Sequence, residues 1–475
     1  MNLTQAYSPE HFRQEAHQLV DVLADYLSNA QHQTLKSVIP YRLPEDNLDF
    51  WQADFEQGTG DPLTFFENVI QQSTHLHHPR YMGHQVSPPL PIAALAGLLT
   101  GMLNNGMAVY EMGLVSNPLE RVLSDLLAKK IGFSPQSSGF LTSGGTLANL
   151  TALLAARAAK APTDVWEEGH SKRLAVMVSE EAHYCIDRAA RIMGMGSEGI
   201  IKIPTNNRFQ MRTELLEEYY QQAQNNGLTV IAVIGSACST STGSYDDLKA
   251  IGDFCTQHNL WFHVDGAHGG AVVFSEKYKA LVTGIDRADS VVIDWHKMLM
   301  TPALATALIF RNGDDAFKTF HQKAQYLWAN QGSQEWFNSG KRTFECTKLM
   351  MSVKIYSILK TYGEEIFAEN VDTLHDLAKD FVGILRENSR FELAIVPESN
   401  IVCFRFIDNG QNPETYNSLN AAIRQQLLEE GKFYIVQTTL REKLYLRVSL
   451  MNPLTQKDDL RALLAEIEKI AATIG

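Results

Sequence analysis

WFHVDGAHGGAVVF, residues 261–274, is the stretch from which the fold is read most directly. Its first five residues form a nearly continuous apolar run that ends on a carboxylate, Asp265, and passes at once into the small residues Gly266 and Ala267. A short apolar run stopped by glycine predicts a strand buried on both faces of a mainly parallel sheet. In open sheets of that kind ligands bind beyond the carboxyl ends of the strands, where Asp265 would stand. A carboxylate there can pair with a protonated ring nitrogen while a small residue lets a flat ring lie close. It can equally be a plain strand-end cap. His263, Asp265 and His268 also invite a metal reading. Against it, positions 263 and 265 share a strand face, 268 lies beyond a glycine-containing turn, and no third-ligand pattern follows, so no metal is expected.

Outward from this strand the pattern repeats. Candidate strands fall at 139–142, 174–178, 200–203, 230–234, 261–265, 290–293 and 305–310, with helix-like segments between them. That alternation predicts an α/β core. After Gly340 the chain reads as helical through 341–384, then strand-like at 401–406, helical near 418–430, strand-like at 434–438 and 444–450, and helical to its end. This describes a smaller α+β domain. At the other end, Ser8-Pro9 followed by Phe12, Ala16, Leu19, Val20, Leu23 and Leu27 gives an N-cap, a proline at the first helical position and an apolar stripe. The expected organisation is an N-terminal helical arm over 1–75, a large domain over 76–340 and a small domain over 341–475. The arm packs either on its own domain or on a second subunit.

Composition bounds the function without naming it. The 475 residues exceed one compact domain, and the net charge of −13 with no basic run argues against sequence-independent binding to nucleic acid or anionic lipid. Five cysteines, at 185, 238, 255, 346 and 403, form no CxxC pair and fit neither a disulfide framework nor a cysteine zinc site. With no basic, apolar leader and no membrane-length apolar stretch, a cytoplasmic protein is expected.

Four further segments carry candidate chemistry. ADSVVIDWHKMLMTPALATALIF, 288–310, sets Lys297 in an apolar neighbourhood where a charged ammonium is costly and a lowered pKa or conversion to a Schiff base relieves the cost; a lysine there can also snorkel to solvent. FLTSGGTLANLTALLAAR, 140–157, places Ser143, Gly144, Gly145 and Thr146 between a strand and a helix, where bare backbone N–H groups would cradle a phosphate or simply form a tight turn. It is not GxGxxG, which disfavours a dinucleotide. SEEAHYCIDRAARIMG, 179–194, brings His183 to a strand end, where an imidazole stacks on a ring or is merely structural. CSTSTGSYDDL, 238–248, brings up Ser239 and Thr240 as hydrogen-bond donors or as turn residues.

Taken together, TSGGT, EEAHY, HVDGA and DWHK, in this order and at these spacings, resemble the fold-type I, group II pyridoxal-5′-phosphate (PLP) dependent amino acid decarboxylases, from about His78 to the C-terminus. That family includes glutamate, cysteinesulfinate, aromatic amino acid and diaminobutyrate decarboxylases. The resemblance implies an aspartate-aminotransferase-like fold, a homodimer, an internal aldimine on Lys297, Asp265 on the pyridine nitrogen, and His183 and Ala267 on the two faces of the ring. It puts Gly144, Gly145 and Thr146, with Asp294 and His296, around the phosphate and Thr240 near the ring hydroxyl. Gln85, in HPRYMGHQVSPP, matches a substrate-pocket position, and Arg447, in LYLRVSLMNPLT, a candidate for the substrate carboxylate. The implied reaction releases CO2 and an amine from an L-amino acid.

One departure stands out. The family's loop before the small domain usually carries a tyrosine thought to return the proton, and residues 328–340 contain none; Trp336 and Phe337 are there and Tyr326 lies just upstream. A shifted loop or His183 could serve instead. Oxidative decarboxylation and deamination to an aldehyde is the first rival, and a PLP-binding pseudoenzyme the second. For the substrate, NGMAVYEMG at 105–113 points to the glutamate and cysteinesulfinate branch and LRVSLMNPLT at 446–455 to the diaminobutyrate branch, with the aromatic branch disfavoured.

Overall fold

A strand covered by helices on both sides has no polar face to show, and the apolar runs of the sequence fold accordingly. The structure, a computed structural model, describes residues 2–58, 60–320, 335–407 and 413–474. Seven strands form one sheet: β1 (Ser138–Thr142), β2 (Arg173–Ser179), β3 (Ile200–Ile203), β4 (Leu228–Ser236), β5 (Trp261–Asp265), β6 (Ser290–Asp294) and β7 (Thr306–Phe310), in the order β1-β7-β6-β5-β4-β2-β3. β3, β2, β4, β5 and β6 run parallel. β7 is antiparallel to both β6 and β1, so β1 points the same way as the parallel set. All residues of β1, β6 and β7 are buried. The helix Gly145–Lys160 crosses β5, β6 and β7, and Leu153, Ile186, Trp261, Leu308 and Phe310 are among the side chains of its core. Each large apolar side chain so buried contributes about 1.5–3 kcal/mol of transfer free energy. The α/β class with a mainly parallel sheet is what the sequence led us to expect.

The chain divides into two compact units. The sheet unit comprises 85–376 with 397–400, and the other comprises 1–84, 377–396 and 401–475. The latter contains an antiparallel sheet of β8 (Phe391–Leu393), β9 (Ile401–Phe406), β10 (Val436–Leu440) and β11 (Lys443–Ser449), ordered β10-β11-β9-β8. Phe381, Phe404, Leu446 and Ile467 are part of its core. The opening helix, Pro9–Gln31, begins where expected, with Ser8 Oγ accepting the His11 N–H at 3.3 Å and proline at its start. Its apolar stripe is half uncovered: Phe12, Val20 and Leu23 are each 42% exposed, while Ala16, Leu19 and Leu27 are half-buried.

One expectation needs correction. The helical reading of 341–384 is too generous, for helix begins only at Met351–Tyr362, stops at Gly363 (φ +77°), and resumes as Glu365–Arg386. Buried charges hold the preceding stretch out of a helix. Arg342 donates to Ser138 Oγ at 3.1 Å and to the carbonyls of Gly139 and Trp336, while Lys348 reaches Glu120 and the Leu141 carbonyl at 2.8 and 2.7 Å.

Candidate active site

Because β1, β2, β4, β5 and β6 all point one way, their carboxyl ends open on one edge of the sheet, and a cavity of about 400 Å³ lies there. Volumes of this order are typical of small-molecule sites. It is lined by Gly144, Gly145, Thr146, His183, Thr240, Asp265, Ala267, Asp294, His296 and Lys297. The structure thus gathers ten residues singled out from five separate segments of sequence. Gln85 and Arg447 are not among the lining residues. Gln85 is buried and its Nε2 has no hydrogen-bond partner among the described residues. Arg447, also buried, lies on β11 of the other unit. Trp328 of the tyrosine-free loop and Tyr326 upstream of it lie outside the described residues; Phe337 meets Tyr110 edge-on, ring centres 5.6 Å apart.

Each lining residue is placed by a local cause. β5 ends on Asp265, whose Oδ1 accepts the Ala267 N–H at 3.2 Å, so the carboxylate folds back over the turn. β6 ends on Asp294, and a tight turn follows in which Lys297 comes back toward it, Nζ to Oδ2 3.1 Å. Thr306 Oγ1 donates to the other oxygen of Asp294, and His296 Nδ1 is 3.0 Å from the Ala305 carbonyl. Burial acts to lower the Lys297 pKa, but the carboxylates of Asp294 and Asp265 outweigh it and hold the ammonium above its ordinary range. His183 is the N-cap of the helix Tyr184–Ile192, its Nδ1 accepting the Cys185 N–H at 3.3 Å. Burial lowers its pKa against the pull of Asp265, and the neutral ring keeps its proton on Nε2.

The opposite wall suits a phosphate. Gly144 has φ +124°, a conformation that disfavours any residue with a Cβ, and it begins the helix Gly145–Lys160 without a side-chain cap. The first N–H groups of that helix therefore face the cavity without a capping side chain, as an anion requires. The donor set fits pyridoxal phosphate: a lysine amine, a carboxylate at a strand end, an imidazole on a helix cap and a bare helix N-terminus around one space. The metal reading of His263 meets a specific obstacle, since Nδ1 lies 2.8 Å from Ser290 Oγ and Nε2 2.7 Å from Asn149 Oδ1, leaving neither nitrogen for a ligand bond.

The sequence did not single out several residues of the site. Ser87 donates to the Lys297 carbonyl at 2.6 Å, two residues from Gln85. Asn149, Cys185, Arg188 and Leu304 line the cavity. None carries a motif, although Arg188 stands one helical turn beyond Tyr184, a spacing that puts its guanidinium 4.9 Å over that ring.

Comparison with known proteins agrees with this geometry. The model of the pyridoxal-dependent decarboxylase conserved domain matches residues 47–407. The aromatic-L-amino-acid decarboxylase of Bacillus atrophaeus is 26% identical over 474 residues, 98% of this chain and 97% of that protein. The aspartate 1-decarboxylase of Aliivibrio fischeri is 29% identical over 454 residues, 86% and 82% of the two chains. Among solved structures, mouse CSAD superposes with a TM-score of 0.91 at 25% identity, covering 98% and 99%. With its fold-type I sheet and a family match over more than half its length, the chain belongs to the pyridoxal-dependent decarboxylases, carboxy-lyases of amino acids that work with pyridoxal phosphate.

Proposed function

We propose that this protein decarboxylates an L-amino acid with an acidic side chain, with Lys297 as the residue that carries the covalent link to pyridoxal phosphate. The observation that carries the cofactor link is the placement of Lys297 Nζ beside Asp294 and across one cavity from the uncapped helix N-terminus at Gly144. When bound, pyridoxal phosphate supplies a carbonyl carbon for the substrate nitrogen and a ring that accepts the electron pair freed as CO2 leaves. Everything else falls to the chain. Gly144, Gly145 and Thr146 would hold the phosphate, with Asp294 and His296 beside it. Asp265 would hold a proton on the ring nitrogen, His183 and Ala267 would bracket the ring, and Thr240 would donate to its hydroxyl. Lys297 would supply the amine to which that carbonyl group is linked. His183 Nε2–H would be the acid that returns a proton to Cα. Gln85, with its unsatisfied amide, and Arg447 keep the substrate-binding roles that the resemblance implies.

The acidic class follows from charge. Two cations line the cavity: Lys297, paired with Asp294, and Arg188, which has no carboxylate within 4 Å among the described residues. A guanidinium in that state recognises a carboxylate or sulfinate. The relatives' names include both aromatic and aspartate decarboxylases, so the Arg188 guanidinium decides our choice.

We also infer a homodimer. The helix Pro91–Leu103 leaves Leu95, Leu98, Leu99 and Met102 between 45% and 63% exposed, and the opening helix leaves Phe12, Val20 and Leu23 exposed, more apolar surface than a lone chain usually shows to water. The five cysteines form no disulfide among the described residues and four are buried, which fits the reducing cytoplasm. The direct test of the cofactor site is borohydride reduction of the PLP-loaded protein followed by peptide mapping. The label belongs on the peptide containing Lys297; a label elsewhere, or none, refutes the assignment.

A further inference from the structure

Behind Asp265 runs a buried polar chain that the reaction as described does not use. His263 precedes Asp265 by two residues on the same face of β5 and is fully buried. Ser290 Oγ accepts the Trp261 Nε1–H at 2.9 Å, which leaves its own hydrogen for His263 Nδ1 at 2.8 Å, a shorter contact than the 3.2 Å between Nδ1 and the Ser290 carbonyl. The imidazole proton is then on Nε2 and is directed at Asn149 Oδ1, 2.7 Å away. Asn149 passes the chain on, its Nδ2–H reaching Cys185 Sγ at 3.5 Å, and the Cys185 N–H is the donor that His183 accepts. Burial works in the same direction, lowering the His263 pKa to about 4 so that the ring stays uncharged.

Three segments are joined in this way: the strand that ends on Asp265, the helix that starts at the Gly144 loop, and the helix capped by His183. Asn149 and Cys185 also line the cavity, so the chain ends at its wall. A protonated His263 would set a cation behind Asp265 and compete with any ligand nitrogen for that carboxylate.

We propose that His263 and Asn149 are a positioning pair for the cofactor ring: their hydrogen bond, extended through Cys185, sets the gap between Asp265 and His183 and keeps an uncharged imidazole behind Asp265. This rests on the roles given above to Lys297, Asp265 and His183. What the pair needs is a donor at position 263, an acceptor at 149 and no charge on either.

The test is spectroscopic, on PLP-loaded wild type, His263→Gln, His263→Leu and Asn149→Asp, recording the PLP Kd together with the wavelength and pH midpoint of the visible band. H263Q keeps a side-chain N–H near the place of Nε2, so its Kd should stay within about twofold of wild type with the band unmoved. H263L strands Asn149 Oδ1 and should weaken PLP about tenfold, the usual effect of orphaning one buried acceptor. N149D has the same size but draws a proton onto His263, and should move both the band and its pH midpoint. If H263L does not fold, N149D against H263Q still decides. Wild-type Kd and band in N149D, or H263Q as weak as H263L, would overturn the pair while leaving the cofactor site intact. A wild type that takes up no PLP would overturn both.

Discussion

Replacing Asp294 by Asn should make Lys297 a better nucleophile at neutral pH, even though it removes a conspicuous partner. Nζ stands 3.1 Å from Asp294 Oδ2, and Asn can retain the shape and the bond from Thr306. At an effective dielectric near 20, unit charges at that distance attract by about 5 kcal/mol. The Lys297 side chain is 21% exposed, so solvent screens part of this, and we take about 1.4–3 kcal/mol as the loss. Burial, already acting to lower the Lys297 pKa, would then be opposed chiefly by Asp265. The free amine, the form that attacks a carbonyl, should become about 10–100 times more abundant at a given pH below the midpoint. The assay mixes cofactor-stripped enzyme with saturating PLP and follows the visible band by stopped flow across pH. Saturation removes any effect of Asp294 on affinity from the comparison. Asp294→Asn should reach its plateau rate at lower pH than wild type; a midpoint that stays put or rises refutes the reasoning.

Other outcomes follow from the same geometry. Lys348→Met leaves the Glu120 carboxylate, whose side chain is 2% exposed, buried without its ammonium and should cost about 3–5 kcal/mol, seen as a clear fall in melting temperature. Adding Glu120→Leu should recover much of it, and no recovery would count against the pair as the cause. Arg188→Ala should raise KM for an acidic substrate at least tenfold while leaving the visible band in place; an unchanged KM removes Arg188 from substrate recognition. His263 titrates near 4 in the fold and near 6.5 unfolded, so the unfolded chain takes up the proton first and wild-type stability falls as pH drops from about 6.5 to 4. Asp246, raised to about 6, acts in the opposite sense but is common to both proteins when wild type is compared with His263→Gln. The wild-type melting temperature should therefore drop more steeply across that window, and parallel curves would contradict a neutral buried His263.

Much of the sheet was legible because its strands are buried on both faces: the apolar runs at 200–203 and 261–265 coincide with β3 and β5, and the others lie within two residues of the observed bounds. The lining residues were legible where chemistry shares a segment with a strand end, as with Asp265, Asp294 and His183. Asn149 was not, since one polar residue in LTSGGTLANLTALL looks the same whether it faces water or an imidazole. Ser87 was hidden for a different reason: its contact is with a backbone carbonyl 210 residues away, which no local pattern records. The overextended helix at 341–350 failed because helix propensity is a weak prior against the buried anchoring of Arg342 and Lys348.

Decarboxylation itself is tested most directly by incubating the PLP-loaded protein in a sealed vessel with L-aspartate, L-glutamate, L-cysteinesulfinate, L-2,4-diaminobutyrate and an aromatic amino acid, scoring CO2, amine, aldehyde and peroxide together. CO2 and amine in equal amounts from an acidic substrate, abolished by Lys297→Ala, are the predicted result. Aldehyde with peroxide, product from only the diamino or aromatic substrate, or turnover that survives Lys297→Ala would contradict it.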